Sequence, residues 1–510
     1  MPTESTQGRY VWVFDNRVVA SDGEPSETRE ILLWDLAGQP GYRLIHQLHL
    51  SEAVVALVVF DIRNETDPFA GVYYWNRALC QAQRVNDVAL PLRKILVAAR
   101  TDRDGIPVND SSIRSLIEEL GFDAYFETSA KEGMNIPELT EAIRNAIDWS
   151  ALRKVPSTYL FRQIRSFLIA EKNSGCVLSL ITDLYRAFLK SEGAPAETDQ
   201  LYEQFKHCIN LMDPPGLVRR LHRGHCVLLQ PELLDVYASA LVNAAKHEPD
   251  GTGIIEEEQV KEAKFFIPTD VRLKDKQQEA FLLTSMVEDL LRHEVVLREQ
   301  LDDKFYLIFP SQSSRENGAL QEMGGKRVIF SFEGAVLNVY TTLVVRLSYS
   351  RVFKRKEIKK NAVVYMTNEG GTYRIQLENT GNGKGSFTLC FEDVREEMRI
   401  YFEDFIYNHL LFRVQAETIQ RQRIFSCDTC KTPLTNLQVQ KRLQLGFEWI
   451  GCPVCETRIS LIDDDKRSKL INPSFVSEMN KNADKERESK TTQFVFQSLQ
   501  TQVKRPYDSA

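Results

Sequence analysis

Four cysteines near one end of the sequence and a short polar stretch near the other carry its most distinctive chemistry. Cys427 and Cys430 form a Cys-x-x-Cys pair, and after twenty-one intervening residues Cys452 and Cys455 form another. Thiolates two residues apart on a tight turn converge on one cation, and two such turns bring four sulfurs to a tetrahedron, as in a closed structural Zn²⁺ site. With four protein ligands and no open position, the site is not catalytic. A redox pair or disulfides are the competing reading, but two paired knuckles fit a metal better. At the other end, WDLAGQPGYR (34–43) follows a strand-like run. Asp35 at a strand end can hold the water shell of Mg²⁺, the Gly38 N–H can approach a terminal phosphate, and Gln39 can orient an attacking water. A polar turn after a strand would account for Gly-Gln-Pro-Gly alone.

Two further segments weigh against that simpler reading. In ILVAARTDRD (95–104), Asp102 lies just past a strand, where its carboxylate can accept two hydrogen bonds from a guanine edge. In ETSAKEG (127–133), Ser129, Ala130 and Lys131 are the candidates: a backbone N–H near Ala130 can meet the guanine oxygen while Lys131 covers the base. Such residues need strands to hold them. Apolar runs at 11–14, 30–35, 54–61, 94–100 and 124–130 alternate with helical patterns at 70–85, 110–120 and 136–147, the last with Pro137 in its first turn. This spacing predicts a doubly wound α/β sheet with ligands at the carboxyl ends of its strands. VVALVVFD (54–61), apolar at consecutive positions, reads as its central strand, buried on both faces.

From about 152 to 295 the pattern is mostly helical, with a short hairpin in GLVRRL and HCVLL that suggests a winged-helix unit. From about 296 to 415 it turns to strands (KFYLIFP, KRVIFSFEG, LVVRLSYS, AVVYMT, TYRIQLEN, SFTLCFE) closed by the helix VREEMRIYFEDFIYNHLLF, an α+β module. KTPLTNLQVQKRLQLGFEWIG, between the cysteine pairs, has strand-like stretches suited to a zinc-ribbon hairpin. The polar NKNADKERESKTT marks a flexible tail. The expected boundaries are 1–148, 149–295, 296–418, 424–462 and 463–510.

The 510 residues suffice for several domains, and 43% hydrophobic and 26% charged residues exclude wholesale disorder and collagen-like repeats. A formal net charge of −7 offers no field to draw in a polyanion, so nucleic acid is not an expected partner. The longest apolar run, 53–60, is far shorter than the ~20 residues that span a bilayer. MPTESTQGRYVWVFD lacks the pattern of a signal peptide, which points to the cytoplasm.

Together, DLAGQ, TDRD and ETSAK resemble the Ras-like small GTPases over roughly residues 1–148. The resemblance extends to Thr6, which looks like the switch threonine whose hydroxyl and carbonyl meet Mg²⁺ and the γ-phosphate. It departs in two places. No segment reads G-x-x-x-x-G-K-[ST], the loop that cradles the phosphates and contributes a Lys and a Mg²⁺ ligand. The family's Asn-Lys-x-Asp also reads Ala99, Arg100, Thr101, Asp102. A Ras-like domain followed by winged-helix and α+β segments is similar to the Roc-COR arrangement, and YLIFPSQSSRE (306–316) and LVVRLSYS (343–350) look like bacterial members that add a zinc ribbon.

The resemblance implies an incomplete doubly wound Ras-like domain, then a winged-helix/COR-like extension and a small zinc ribbon. It implies a GTP/GDP switch coupled to a dimerising extension, GTPase activity included, with Mg²⁺ and nucleotide held only where the phosphate loop is supplied. The alternative is a pseudo-GTPase scaffold without turnover. Lesser candidates are better read structurally: His222, His225, Cys226 and Cys208 as turn and core residues of the winged helix, and RVFKRKEIKK (351–360) as a solvated strand edge. The candidate recognition helix DQLYEQFKHCINLM carries too little positive charge to read DNA.

Overall fold

A computed structural model describes residues 9–19, 27–36, 43–46, 50, 53–61, 68–85, 91–102, 109–152, 159–198, 200–213, 217–221, 226–301, 303–315, 326–427, 429–430, 432–461 and 473–504. Strands β1 (Arg9–Val19) and β2 (Glu27–Leu36) form an antiparallel pair with Tyr10 opposite Asp35. After the single turn α1 (Arg43–His46) come β3 (Val55–Asp61), α2 (Ala70–Val85), β4 (Arg93–Ala99), α3 (Asp110–Leu120), β5 (Ala124–Thr128) and α4 (Ile136–Ala146). The three strands β3, β4 and β5 are parallel and lie in that order. Local chemistry sets the helix ends. The Asn109 side chain accepts the Ser111 N–H at 3.0 Å to start α3, and Gly121, at φ 64°, ends it in the left-handed region that suits glycine.

The central position belongs to β4 rather than β3. Ile95, Leu96, Val97 and Ala98 on β4 are all buried, whereas Val59 on β3 is 57% exposed. The reason is pairing: among the described residues β3 bonds to β4 on one side only. The β1–β2 pair nevertheless flanks this sheet, because Phe14 packs with Ile95, Val97 and Ile143, and Leu36 packs with Val58, Phe60 and Leu96. Arg144 of α4 binds Asp15 of β1 through two 3.0 Å hydrogen bonds, which hold the Asp15 carboxyl below its ordinary range.

The segment after α4 meets the winged-helix expectation. Helices α5 (Tyr159–Asn173), α6 (Ile181–Leu189) and α7 (Leu201–Met212) pack around Ile164, Phe188, Phe205 and Ile209. The short strands β6 (Leu178–Leu180), β7 (Arg219–Leu221) and β8 (Cys226–Leu228) form an antiparallel sheet in the order β6-β8-β7. Cys208 and Cys226 are buried among apolar side chains, while His222 and His225 lie outside the described residues. Next come α8 (Glu232–Lys246), β9 (Ile254–Glu256), α9 (Glu257–Lys261), α10 (Lys276–Arg292), β10 (Leu297–Leu301) and β11 (Lys304–Ile308), with sheet order β10-β11-β9.

The α+β module is built on β12 (Lys326–Glu333), α11 (Val336–Tyr349), β13 (Lys354–Lys359), β14 (Ala362–Thr367), β15 (Gly370–Gly381), β16 (Lys384–Glu392), α12 (Glu396–Arg413) and β17 (Gln420–Ile424). Its six-stranded antiparallel sheet runs β13-β14-β15-β16-β12-β17, with Phe330, Tyr365, Ile375, Phe387 and Leu389 facing Phe402, Phe405 and Leu410 of α12. LVVRLSYS is not a strand: it forms the second half of α11. Its β-branched residues tolerate the helix because α11 is buried nearly all round, from Val339 and Tyr340 to Leu347, so packing overrides propensity.

Two further expectations change. Between the cysteine pairs lies α13 (Asn436–Gln444), with β18 (Trp449–Gly451) and β19 (Arg458–Ser460) forming the hairpin. Thr435 and Gln438 make a capping box that starts a helix where strand-like stretches were expected. The supposed flexible tail contains a 32-residue helix, Pro473–Lys504. Its polar sequence hides a buried stripe: Val476, Met479 and Ala483 join the core of the six-stranded module, and Phe494 joins that of α8 and α10. Ion pairs anchor it, with Arg487 of this helix meeting the buried Glu294, which also takes Arg346 and Arg413.

Candidate nucleotide and metal sites

The parallel pairing of Ala99 with Thr128 brings the carboxyl ends of β4 and β5 side by side. That register sets Asp102 against Ser129, whose hydroxyl donates to Asp102 Oδ1 at 2.7 Å. The Ser129 Oγ in turn accepts the Glu132 N–H at 3.1 Å, and the Ser129 N–H donates to the Met134 carbonyl at 3.3 Å, so the loop is tied at both ends. Ser129 is buried, while Ala130 and Lys131 are exposed beside it. Arg100, held at φ 60°, reaches Asp61 at the end of β3 at 3.4 Å. The carboxyl edge therefore gathers Asp61, Arg100, Asp102 and the Ser129–Lys131 turn. A carboxylate fixed by Ser129, with the exposed residues Ala130 and Lys131 next in sequence, is a group that can accept from the polar edge of a planar base.

Asp35 is the penultimate residue of β2. Thr6, Gly38 and Gln39 lie outside the described residues.

Sequence reasoning missed the part played by α1. In this turn, directly after residues 37–42, Leu44, Ile45 and His46 are buried, and Leu44 and Ile45 belong to the same apolar core as Leu234, Tyr237 and Leu241 of α8. The His46 ring stacks on Trp75 of α2, with centroids 6.5 Å apart. Helix α2 is the other link to the extension: Arg77 binds Glu333 at 2.6 Å, Gln81 binds Asn338 at 2.8 Å, and Arg84 donates to the Val414 carbonyl at 2.7 Å. The amphipathic pattern of α2 gave no sign that its polar residues were contacts rather than a solvated face.

The four cysteines do converge. Their sulfurs all lie within 4.8 Å of one another, with Cys427–Cys455 and Cys430–Cys452 each at 3.4 Å. Zn–S bonds of about 2.3 Å place tetrahedral thiolates about 3.8 Å apart, so this donor set fits such an ion. The two turns are alike: the Cys427 N–H donates to Thr432 O at 2.9 Å and the Cys452 N–H to Thr457 O at 2.8 Å. Hydrogen bonding by the Thr432 hydroxyl and backbone brings the Cys430 thiol down to about 6, which favours the thiolate that a metal requires.

Residues 12–148 match the Ras family model. The domain is Ras-like. Among curated relatives, Ras-related protein Rab-32 of Sus scrofa is 36% identical over 107 residues, covering 21% of this chain and 46% of that protein. Human Rab-32 is 34% identical over 107 residues, covering 21% and 47%, and the putative Rab-5B of Dictyostelium discoideum is 33% identical over 117 residues, covering 23% and 52%. The chain thus spans about half the length of the curated relatives it matches. Among solved structures, the RocCORdC fragment of Methanosarcina barkeri Roco2 bound to GDP shows a TM-score of 0.36 and 14% identity, over 59% of this chain and 84% of that one. The Ras-like domain is followed by an α+β extension and a four-cysteine cluster, and no helix among the described residues is long and apolar enough to cross a membrane.

Proposed function

We propose that this chain is a guanine-nucleotide switch of Roc-COR type, in which residues 1–148 sense the nucleotide and a COR-like extension over 149–418 responds, in the cytoplasm. The observation that carries the reading is the pairing of Asp102 with Ser129 beside Ala130 and Lys131 at the carboxyl edge. In this reading Asp102 accepts the guanine N–H groups, the Ala130 N–H meets the guanine oxygen and Lys131 covers the ring. Thr6, Asp35 and Gly38 would hold Mg²⁺ and the γ-phosphate, and Gln39 would orient water. Bound Mg²⁺ would neutralise charge on the phosphates. The burial of Leu44 and Ile45 supports coupling, because α1 of the Ras-like domain seats these two side chains in the extension's core. The order of winged helix, six-stranded module and ribbon (424–462) supports the Roc-COR reading and, with it, a homodimer through the COR-like part.

The sequence holds no G-x-x-x-x-G-K-[ST], and β3 offers an unpaired edge among the described residues. A second reading is a scaffold without turnover, and the 510 residues by themselves are expected to bind GTP weakly, because they carry no such phosphate loop. A chain extended at its N-terminus by a strand and such a loop separates the readings. If the first holds, the extended chain binds fluorescent GDP, GTP competes and ATP does not, and Asp102→Asn shifts preference towards xanthosine nucleotides, whose 2-oxo group accepts where guanine donates. Failure to discriminate guanine from adenine, or an Asp102→Asn variant with unchanged base preference, contradicts it. The ribbon is assigned a structural Zn²⁺, held by Cys427, Cys430, Cys452 and Cys455.

A further inference from the structure

The ribbon carries an exposed face that the metal site does not explain. Across α13, the turn after it and the β18–β19 hairpin, Leu437 is 62% exposed, Leu443 46%, Leu445 70% and Phe447 42%. So much apolar surface on a unit this small marks a place where something docks. Two arginines are laid among the aromatic rings. The Arg442 guanidinium lies 4.3 Å from the Phe447 ring centre and 5.1 Å from that of Trp449, and the Arg458 guanidinium lies 4.5 Å from Trp449. The hairpin register explains the last contact: Trp449 faces Ser460, so Arg458 is its diagonal neighbour on the same face. Among the described residues no carboxylate pairs with Lys441, Arg442 or Arg458.

A guanidinium resting on an aromatic ring loses little of its donor capacity, since its N–H groups lie in the plane and point outward in a fixed fork that matches a carboxylate. The arrangement is thus two oriented carboxylate receptors on a small unit that also exposes Leu443, Leu445 and Phe447 close to Arg442 in sequence. We propose that this face of the ribbon docks an acidic, apolar peptide segment of a partner protein, in which Asp or Glu alternates with Leu or Phe. Charge complementarity selects that occupant: Arg442 and Arg458, with Lys441 beside them, meet the carboxylates, and the leucines and Phe447 meet the apolar side chains. A single-stranded nucleic acid fits less well, because the rings on which bases would stack are already engaged by guanidinium groups.

The test uses the full chain with its metal bound and fluorescence anisotropy with three labelled probes: a peptide alternating Asp/Glu with Leu/Phe, the same peptide with Asn/Gln for the acids, and oligouridylate. The acidic peptide binds saturably, at least about tenfold tighter than the amide peptide, as charge-assisted hydrogen bonds imply. Arg458→Glu, at an exposed position, weakens it about tenfold or more while metal content stays the same, and Phe447→Ser weakens it through the apolar half. Equal binding of the two peptides, an Arg458→Glu variant with unchanged affinity, or preferential binding of oligouridylate overturns the proposal.

Discussion

The Gln81 side-chain amide donates to Asn338 Oδ1 at 2.8 Å, and its carbonyl accepts the Ala335 N–H at 3.0 Å, so one buried residue of α2 is bonded twice to the start of α11. The contact joins the Ras-like domain to the six-stranded module. Replacing Gln81 by Leu leaves the buried Asn338 side chain and Ala335 N–H without these partners. Each orphaned group costs about 1–3 kcal/mol, so Gln81→Leu should destabilise the folded chain by a few kcal/mol. A urea midpoint indistinguishable from that of the unsubstituted chain would show that the two units do not depend on this contact.

The convergent sulfurs predict one Zn²⁺ per chain, independent of nucleotide. Metal binding supplies the folding energy of so small a unit. Cys452→Ser should therefore unfold the ribbon and lose the ion while the cores around Leu96 and Phe402 persist. Elemental analysis of protein prepared without chelator, compared with circular dichroism of the variant, checks both halves.

His409 is buried on α12, with its Nε2 3.2 Å from Thr342 Oγ1 and 3.1 Å from the Val339 carbonyl. Burial, aided by the Arg413 and Arg346 charges, holds its pKa well below the ordinary 6.5. The unfolded chain takes up the proton near 6.5 while the folded chain does not, so unfolding binds a proton in that range. This contribution to stability is complete above pH 6.5 and is lost as pH falls below it. Urea midpoints on either side of that value should fall with acid, and His409→Gln should remove this part of the fall. An identical acid loss in both proteins would exclude His409 as its source.

If the COR-like part dimerises, light scattering at micromolar concentration should report twice the 58.6 kDa chain mass. An isologous interface repeats every contact, so a single charge reversal within it acts twice and dissociates the pair sharply. A mass of one chain that holds steady on concentration would rule the dimer out.

Much of this was legible because local spacing carried it. The alternation of apolar runs and helical patterns located all five strands and the helices α2, α3 and α4, and the two Cys-x-x-Cys turns announced their convergence. What misled was pattern without partners. VVALVVFD has the composition of a central strand, yet only pairing decides which strand is central, and β4 holds that place. LVVRLSYS has strand propensity but sits in a helix surrounded by core on nearly every side. In NKNADKERESKTT, the charges that suggested flexibility include Asp484 and Arg487, whose partners Arg346 and Glu294 are remote in sequence. The burial of Leu44 and Ile45 had no local signal, since the core that receives them is formed largely by residues nearly two hundred positions later.

If nucleotide at the carboxyl edge moves the extension, the contact of α1 with α8 is the route. Hydrogen exchange on a nucleotide-competent chain, compared with GDP and with a non-hydrolysable GTP analogue, tests it most directly. Amides of 43–46 and 232–246 should change protection together between the two states, while those of the β18–β19 hairpin should not. Saturated nucleotide binding with identical protection in 43–46 and 232–246 would contradict it.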